Sequence, residues 1–159
     1  MKAIGIVFIM GVALIFSYER IKKRQQSLAV IEELYRFIES MRVEIGCYLR
    51  PISEIQNTFP SEYLASLGFF KDAASVGILS AYLKLEGKNA FTDEEKKILR
   101  HHFSRMGKGY ADDEIKLIDT TLASLGEILE KKRAAAPVYK KLVVTLCSAA
   151  ASALIILFI

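Results

Sequence analysis

Apolar residues gather at the two ends of this chain, and that placement constrains the fold more than any motif does. The run AIGIVFIMGVALIF occupies residues 3–16, LVVTLCSAAASALIILFI occupies 142–159, and nearly all the charge lies between them. From Ala3 to Tyr18 there are 16 residues, which at about 1.5 Å each fall slightly short of the roughly 30 Å hydrocarbon core of a bilayer. Lys2 and Arg20 can extend towards the interfaces and close that gap. The second run supplies 18 uncharged residues. Both ends are therefore expected to span a membrane, 1–18 as an N-terminal helix and 137–159 as a C-terminal one.

Basic side chains border each run on its inner side. Arg20, Lys22, Lys23 and Arg24 follow the first, and Lys131, Lys132, Arg133, Lys140 and Lys141 precede the second. A cleavable secretory leader carries its positive charge before the apolar core and small residues after it. Here Ser17, Tyr18, Glu19 and Arg20 follow the core instead, as in an uncleaved anchor. The positive-inside rule then puts both collars on the cytoplasmic side, both termini outside, and 19–136 in the cytoplasm. Residues 25–129 hold 12 Lys/Arg against 16 Asp/Glu. The middle is thus mildly acidic and offers no basic face for nucleic acid.

Periodicity in the middle is helical. Leu28, Ile31, Tyr35, Ile38, Met41, Ile45 and Leu49 form a stripe with the 3.6-residue period, which predicts one amphipathic helix from about Tyr18 to Leu49, ended by Arg50-Pro51. Ile52, Ile55 and Phe59, then Tyr63, Leu64 and Leu67, mark short helical segments. Val76, Leu79 and Leu83 suggest a helix from about Ala74 to Leu85 that stops at Gly87. Thr92 with Glu95 reads as a capping box, Phe91 as its staple residue and Gly107 as a left-handed stop, with Ile98, Leu99 and Phe103 facing the core. A last helix opens at Asp112 and bears Ile115, Ile118, Leu122, Leu125 and Leu129. It should reach about Ala135 and feed the second span, which Pro137 should start or kink.

No window alternates with period two, so the expected fold class is all-α: two transmembrane helices flanking a cytoplasmic helical bundle of about five helices. Two long helices, each continuous with a membrane helix, should pack together with three shorter ones between them.

Chemical motifs are sparse. His101 and His102 are adjacent and cannot share a helix face, so they read as a solvated helix end rather than metal ligands. Asp112, Asp113 and Glu114 suit the positive end of a helix dipole better than a cation site. GKGY at 107–110 lacks the phosphate-loop pattern, and no nucleophile signature has usable context. Cys47 and Cys147 read as small buried hydrophobes. Tyr35, Tyr48, Tyr63 and Phe37 read as core or interface aromatics. Ser148 and Ser152, like Ala149 and Ala153, recur at i, i+4 and make a small face open to a helix neighbour. No catalytic residue, cofactor, metal, nucleic acid or small-molecule substrate is expected.

Two stretches carry a family likeness: YERIKKRQQSLAVIEELYRFIESMRVEIGCYLRPISEI at 18–55 and FSRMGKGYADDEIKLIDTTL at 103–122. With the apolar ends they resemble the stage III sporulation protein AB family of endospore-forming bacteria over essentially the full length. The chain departs from that family's later motif in the longer gap between Gly107 and Asp112, and it has Leu142 to Val144 where glycines are usual.

The resemblance implies a noncatalytic membrane component of the channel between mother cell and forespore, with its domain in the mother-cell cytoplasm. It further implies a bundle similar to the cytoplasmic domains of type II secretion platform proteins, other sporulation channel membrane proteins as partners, and coupling to a secretion-type ATPase. Exposed charges near helix turns are the expected partner contacts, namely Glu54, Lys96, Arg100, Arg105, Asp112 and Asp113. Two competing readings are a platform or assembly factor of a pilus or type II-like secretion system unrelated to sporulation, and an enzyme or sensor with a deep polar pocket.

Overall fold

The structure, a computed structural model, describes the backbone of residues 2–48, 50–88 and 91–158, and the side chains of these residues apart from 2–10, 13, 151 and 154–158. Among the described residues all regular structure is helical. In chain order the helices are α1 (Lys2–Tyr48), α2 (Ile52–Thr58), α3 (Tyr63–Ser66), α4 (Phe69–Val76), α5 (Ile78–Lys88), α6 (Asp93–Arg105) and α7 (Ala111–Phe158). They divide into two compact units, Ser27–Glu130, and Met1–Gln26 with Lys131–Ile159.

In the Ser27–Glu130 unit, α1 and α7 form an antiparallel pair. A methyl group added at Gly46 would lie 3.6 Å from Ile115 Cδ1, and one at Gly126 would lie 3.8 Å from Tyr35 Cε2. Between these points Arg42 donates a hydrogen bond to Asp119. Ile31, Leu34, Phe37, Ile38 and Met41 of α1 are buried against Ile118, Leu125 and Leu129 of α7, in one core shared with the five short helices. Phe37 is its aromatic centre, meeting Phe59 at 5.3 Å, Phe70 at 5.4 Å and Phe69 at 6.2 Å, all edge-on. Phe103 of α6 continues the cluster to Tyr82 of α5 at 5.1 Å. Such edge-on pairs add about 0.5–1.5 kcal/mol each beyond their buried area.

The expected bundle differs in its middle. The helix expected over Ala74–Leu85 is two helices, because Gly77 has φ +89°, ψ 155°, a conformation open to glycine and strained for other residues. α4 on its near side was not foreseen, and α5 runs through Gly87 to Lys88. Among the described residues five short helices rather than three therefore lie between the long ones. Pro137 neither starts nor ends a helix: α7 passes through it, although the ring removes one backbone donor there.

Other expectations fail on burial. Cys47 is exposed and Cys147 half-buried, and both are free thiols. Of the expected core or interface aromatics, Phe37 lies within the core and Tyr35 packs on it, while Tyr48 and Tyr63 are exposed and outside it, which leaves them the interface alternative. His101 is solvated as expected, but His102 is fully buried, because α6 turns adjacent residues to different faces and only the second of the pair points towards α7.

In the other unit, Arg24 lies over the Tyr139 ring at 4.0 Å and Arg20 over Phe16 at 5.2 Å. Val12, Leu14, Ile15, Phe16, Val138 and Leu146 are more than half exposed. Among the described residues no helix is long and apolar enough to cross a membrane. The span expected at 1–18 falls mostly, and that at 137–159 partly, on residues whose side chains lie outside those described.

Candidate functional site

The hairpin of α6 and α7 is built from local hydrogen bonds that hold its ends. Thr92 Oγ1 accepts from the Glu95 amide at 3.3 Å while Glu95 Oε2 accepts from the Thr92 amide at 2.8 Å, completing the capping box. At the other end Gly107 takes φ +75°. Glu114, in the first turn of α7, folds back so that Oε1 accepts from the amides of Lys108 and Gly109 at 3.1 and 3.2 Å. The acidic triplet thus meets the helix dipole, and its third member also ties the turn.

Below the surface, His102 joins the two helices. Thr121 Oγ1 gives its only hydrogen to the Leu117 carbonyl at 2.8 Å, so towards His102 Nδ1, 3.1 Å away, it can only accept. Nδ1 therefore carries a proton, and Nε2 is buried with no hydrogen-bond partner among the described residues. Burial pushes the His102 pKa down to about 4, with His101 adding a smaller effect.

On the outer side the same two helices enclose an open groove of about 1150 Å³. Lys97, His101 and Arg105 line it from α6, and Asp113, Lys116 and Glu127 from α7. The α6 residues recur every four positions and therefore share one face. Lys97, Arg105, Asp113 and Lys116 form no ion pair among the described residues. Three expected contact residues are engaged elsewhere. Arg100 holds Glu86 through two hydrogen bonds, Nε to Oε2 at 2.7 Å and Nη2 to Oε1 at 2.5 Å. Lys96 approaches Asp93 at 3.6 Å, and Glu54 approaches Arg50 at 3.8 Å.

The Arg100 pair is a strut between α5 and α6. Glu86 is 9% exposed while the Arg100 side chain is 56% exposed, so a nearly buried carboxylate is neutralised by a cation reaching in from the surface. The hydrogen bonds from Arg100 hold the Glu86 pKa below the ordinary carboxylate value and raise that of the guanidinium. Of the six expected residues the structure brings Arg105 and Asp113 into the groove. Asp112 is exposed beside it, and Glu54, Lys96 and Arg100 do not line it.

Lys97, His101 and Lys116 belong to the groove and were not foreseen, although the i, i+4 spacing from Lys97 to Arg105 could have revealed them. All nine collar residues lie in the other unit; each is exposed except Lys132, which is half-buried. Among the described residues no three His, Cys, Asp or Glu side chains gather as metal ligands would. The groove offers charge and hydrogen bonding, the chemistry of recognition.

The two stretches that carry the family likeness also meet in space: a methyl group at Gly107 would lie 3.8 Å from Ile52 Cδ1. No characterised protein and no solved structure matches the chain. The family model for stage III sporulation protein AB matches residues 2–159. With that match over the whole helical architecture, the chain belongs to the stage III sporulation protein AB family.

Proposed function

We propose that this protein is a noncatalytic, two-span membrane platform of the channel complex between mother cell and forespore, and that its α6–α7 groove docks a secretion-type ATPase. The observation that carries the docking reading is the groove itself, where Lys97, Arg105, Asp113 and Lys116 stand on the hairpin without ion pairs among the described residues. Charges left unpaired on a fixed surface steer a complementary partner and set its register. Partners that bring the bundle to the membrane complex would be other sporulation channel membrane proteins.

The membrane reading draws on the large apolar side chains exposed along α1 and α7 in the Met1–Gln26 and Lys131–Ile159 unit. Water disfavours so many of them together, and lipid does not. Ser148 and Ser152 donate to the Thr145 and Ser148 carbonyls, both at 2.9 Å. These hydroxyls are thereby satisfied within their own helix, as a bilayer requires. In this arrangement both termini face outwards, 19–136 lies in the mother-cell cytoplasm, and the protein sits in the mother-cell membrane around the forespore.

Mild crosslinking and affinity purification of the full-length protein from sporulating cells tests the assignment. The expected result is recovery of channel membrane proteins together with a secretion-type ATPase. Recovery of pilus or secretion components alone would transfer the protein to another system, and recovery of neither would remove the platform role.

A further inference from the structure

The Met1–Gln26 and Lys131–Ile159 unit contains ten Lys/Arg and one acidic residue, Glu19, whereas the Ser27–Glu130 unit contains 12 Lys/Arg and 17 Asp/Glu. The cations are not spread along the two helices. All but Lys2 stand in two collars, one on α1 and one on α7, and Arg24 over the Tyr139 ring at 4.0 Å sets these collars side by side. Lys22, Lys23, Lys140 and Lys141 are exposed and form no ion pair among the described residues.

On the same helices the exposed apolar side chains of Phe16, Val138 and Leu142 adjoin these cations. A ligand matching both features carries an anionic phosphate joined to a hydrocarbon chain.

We infer that the paired collars are a binding site for the headgroups of anionic phospholipids, centred on Lys22, Lys23, Lys140 and Lys141 and braced by the Arg24–Tyr139 contact. The inference rests on the membrane reading above and deepens it, because positive charge that served only to orient the spans would need no headgroup preference. Clustered basic residues at a bilayer surface attract anionic lipid, and the attraction weakens as salt screens it. An aromatic ring under one guanidinium fixes part of the belt, so the cations lose less freedom when a phosphate arrives.

The test uses the full-length protein reconstituted in vesicles of equal parts phosphatidylcholine and phosphatidylglycerol, extracted in mild detergent, with co-purifying lipid measured by mass spectrometry. Phosphatidylglycerol should exceed phosphatidylcholine on the order of tenfold. The excess should shrink in high salt and vanish in a variant carrying Lys22→Gln, Lys23→Gln, Lys140→Gln and Lys141→Gln. Equal retention of both lipids would overturn the headgroup site, as would displacement of phosphatidylglycerol by inorganic pyrophosphate at matching concentration. An alkaline wash of the same vesicles separates the two claims. Protein that resists the wash without lipid preference refutes the site alone, whereas protein that is washed off but still selects phosphatidylglycerol refutes the spans alone.

Discussion

Glu33, on α1, accepts the amide hydrogen of Leu64 on Oε2 at 2.8 Å, so one carboxylate in the middle of a long helix caps the start of a short one. The same group accepts from the amides of Glu62 and Tyr63 at 2.9 and 3.0 Å and from Ser61 Oγ at 2.7 Å. At 3% exposure burial favours the neutral acid, yet the amides of Leu64 and Tyr63, the Ser61 hydroxyl and the Glu62 amide together hold the pKa below the ordinary carboxylate value. The four donors prevail over desolvation.

Glu33→Ala should therefore lower unfolding stability by about 2–4 kcal/mol, since it orphans several amides at once. Glu33→Gln keeps the volume and one acceptor, and should cost less. Denaturant titration of the full-length protein in detergent, followed by helical circular dichroism, measures both; equal stability of Glu33→Ala and the parent would refute the capping role.

His102 gives the fold an acid-sensitive point. Its folded pKa of about 4 is below the ordinary 6.5, so the unfolded chain binds the extra proton between those values. Its contribution is fully present above 6.5 and is lost as pH falls towards 4, for a total of about 3–4 kcal/mol. His102→Leu should flatten the stability profile in this window. Loss through Glu33 follows at lower pH, below the ordinary carboxylate range. Thermal unfolding at several pH values separates the two.

Gly107→Ala should destabilise by about 1–2 kcal/mol. Its φ of +75° is costly for an L side chain, whereas the nearest side-chain atom, Ile52 Cδ1, leaves room for the methyl group. Unfolding midpoints in denaturant report the loss, and an unchanged midpoint would show that the turn relaxes.

Arg100→Glu and Arg105→Glu should behave differently despite equal charge change. The first sets a carboxylate against nearly buried Glu86 and should lower the melting temperature. The second alters an exposed groove residue and should leave folding intact while weakening partner capture. Circular dichroism melts beside co-purification of each variant distinguish them, and matched melting temperatures would contradict the Glu86 strut.

Much of this architecture is legible in the sequence because its signals are local or periodic. The stripe from Leu28 to Ile45, the capping box at Thr92 and Glu95, and the stop at Gly107 all appear where their spacing puts them. What was not legible depends on distant residues. Nothing near Glu33 announces that Leu64 will arrive 31 positions later, and nothing near His102 announces that Thr121 will meet its ring from 19 positions away. Gly77 is readable as a glycine, but whether it bends, breaks or merely weakens a helix is decided by packing on both sides. In the candidate site, Arg105 and Asp113 are legible as charges beside a helix turn. Arg100 has the same local signal but is a strut, since its partner Glu86 lies on another helix.

The docking groove is tested most directly by placing a photo-crosslinking amino acid at Lys97 or Lys116 of the full-length protein in sporulating cells, with Lys71 on α4 as the control outside the groove. The platform reading predicts light-dependent crosslinks to a secretion-type ATPase from positions 97 and 116 and none from position 71. Crosslinks to that ATPase from position 71 alone, or none from either groove position, would contradict it.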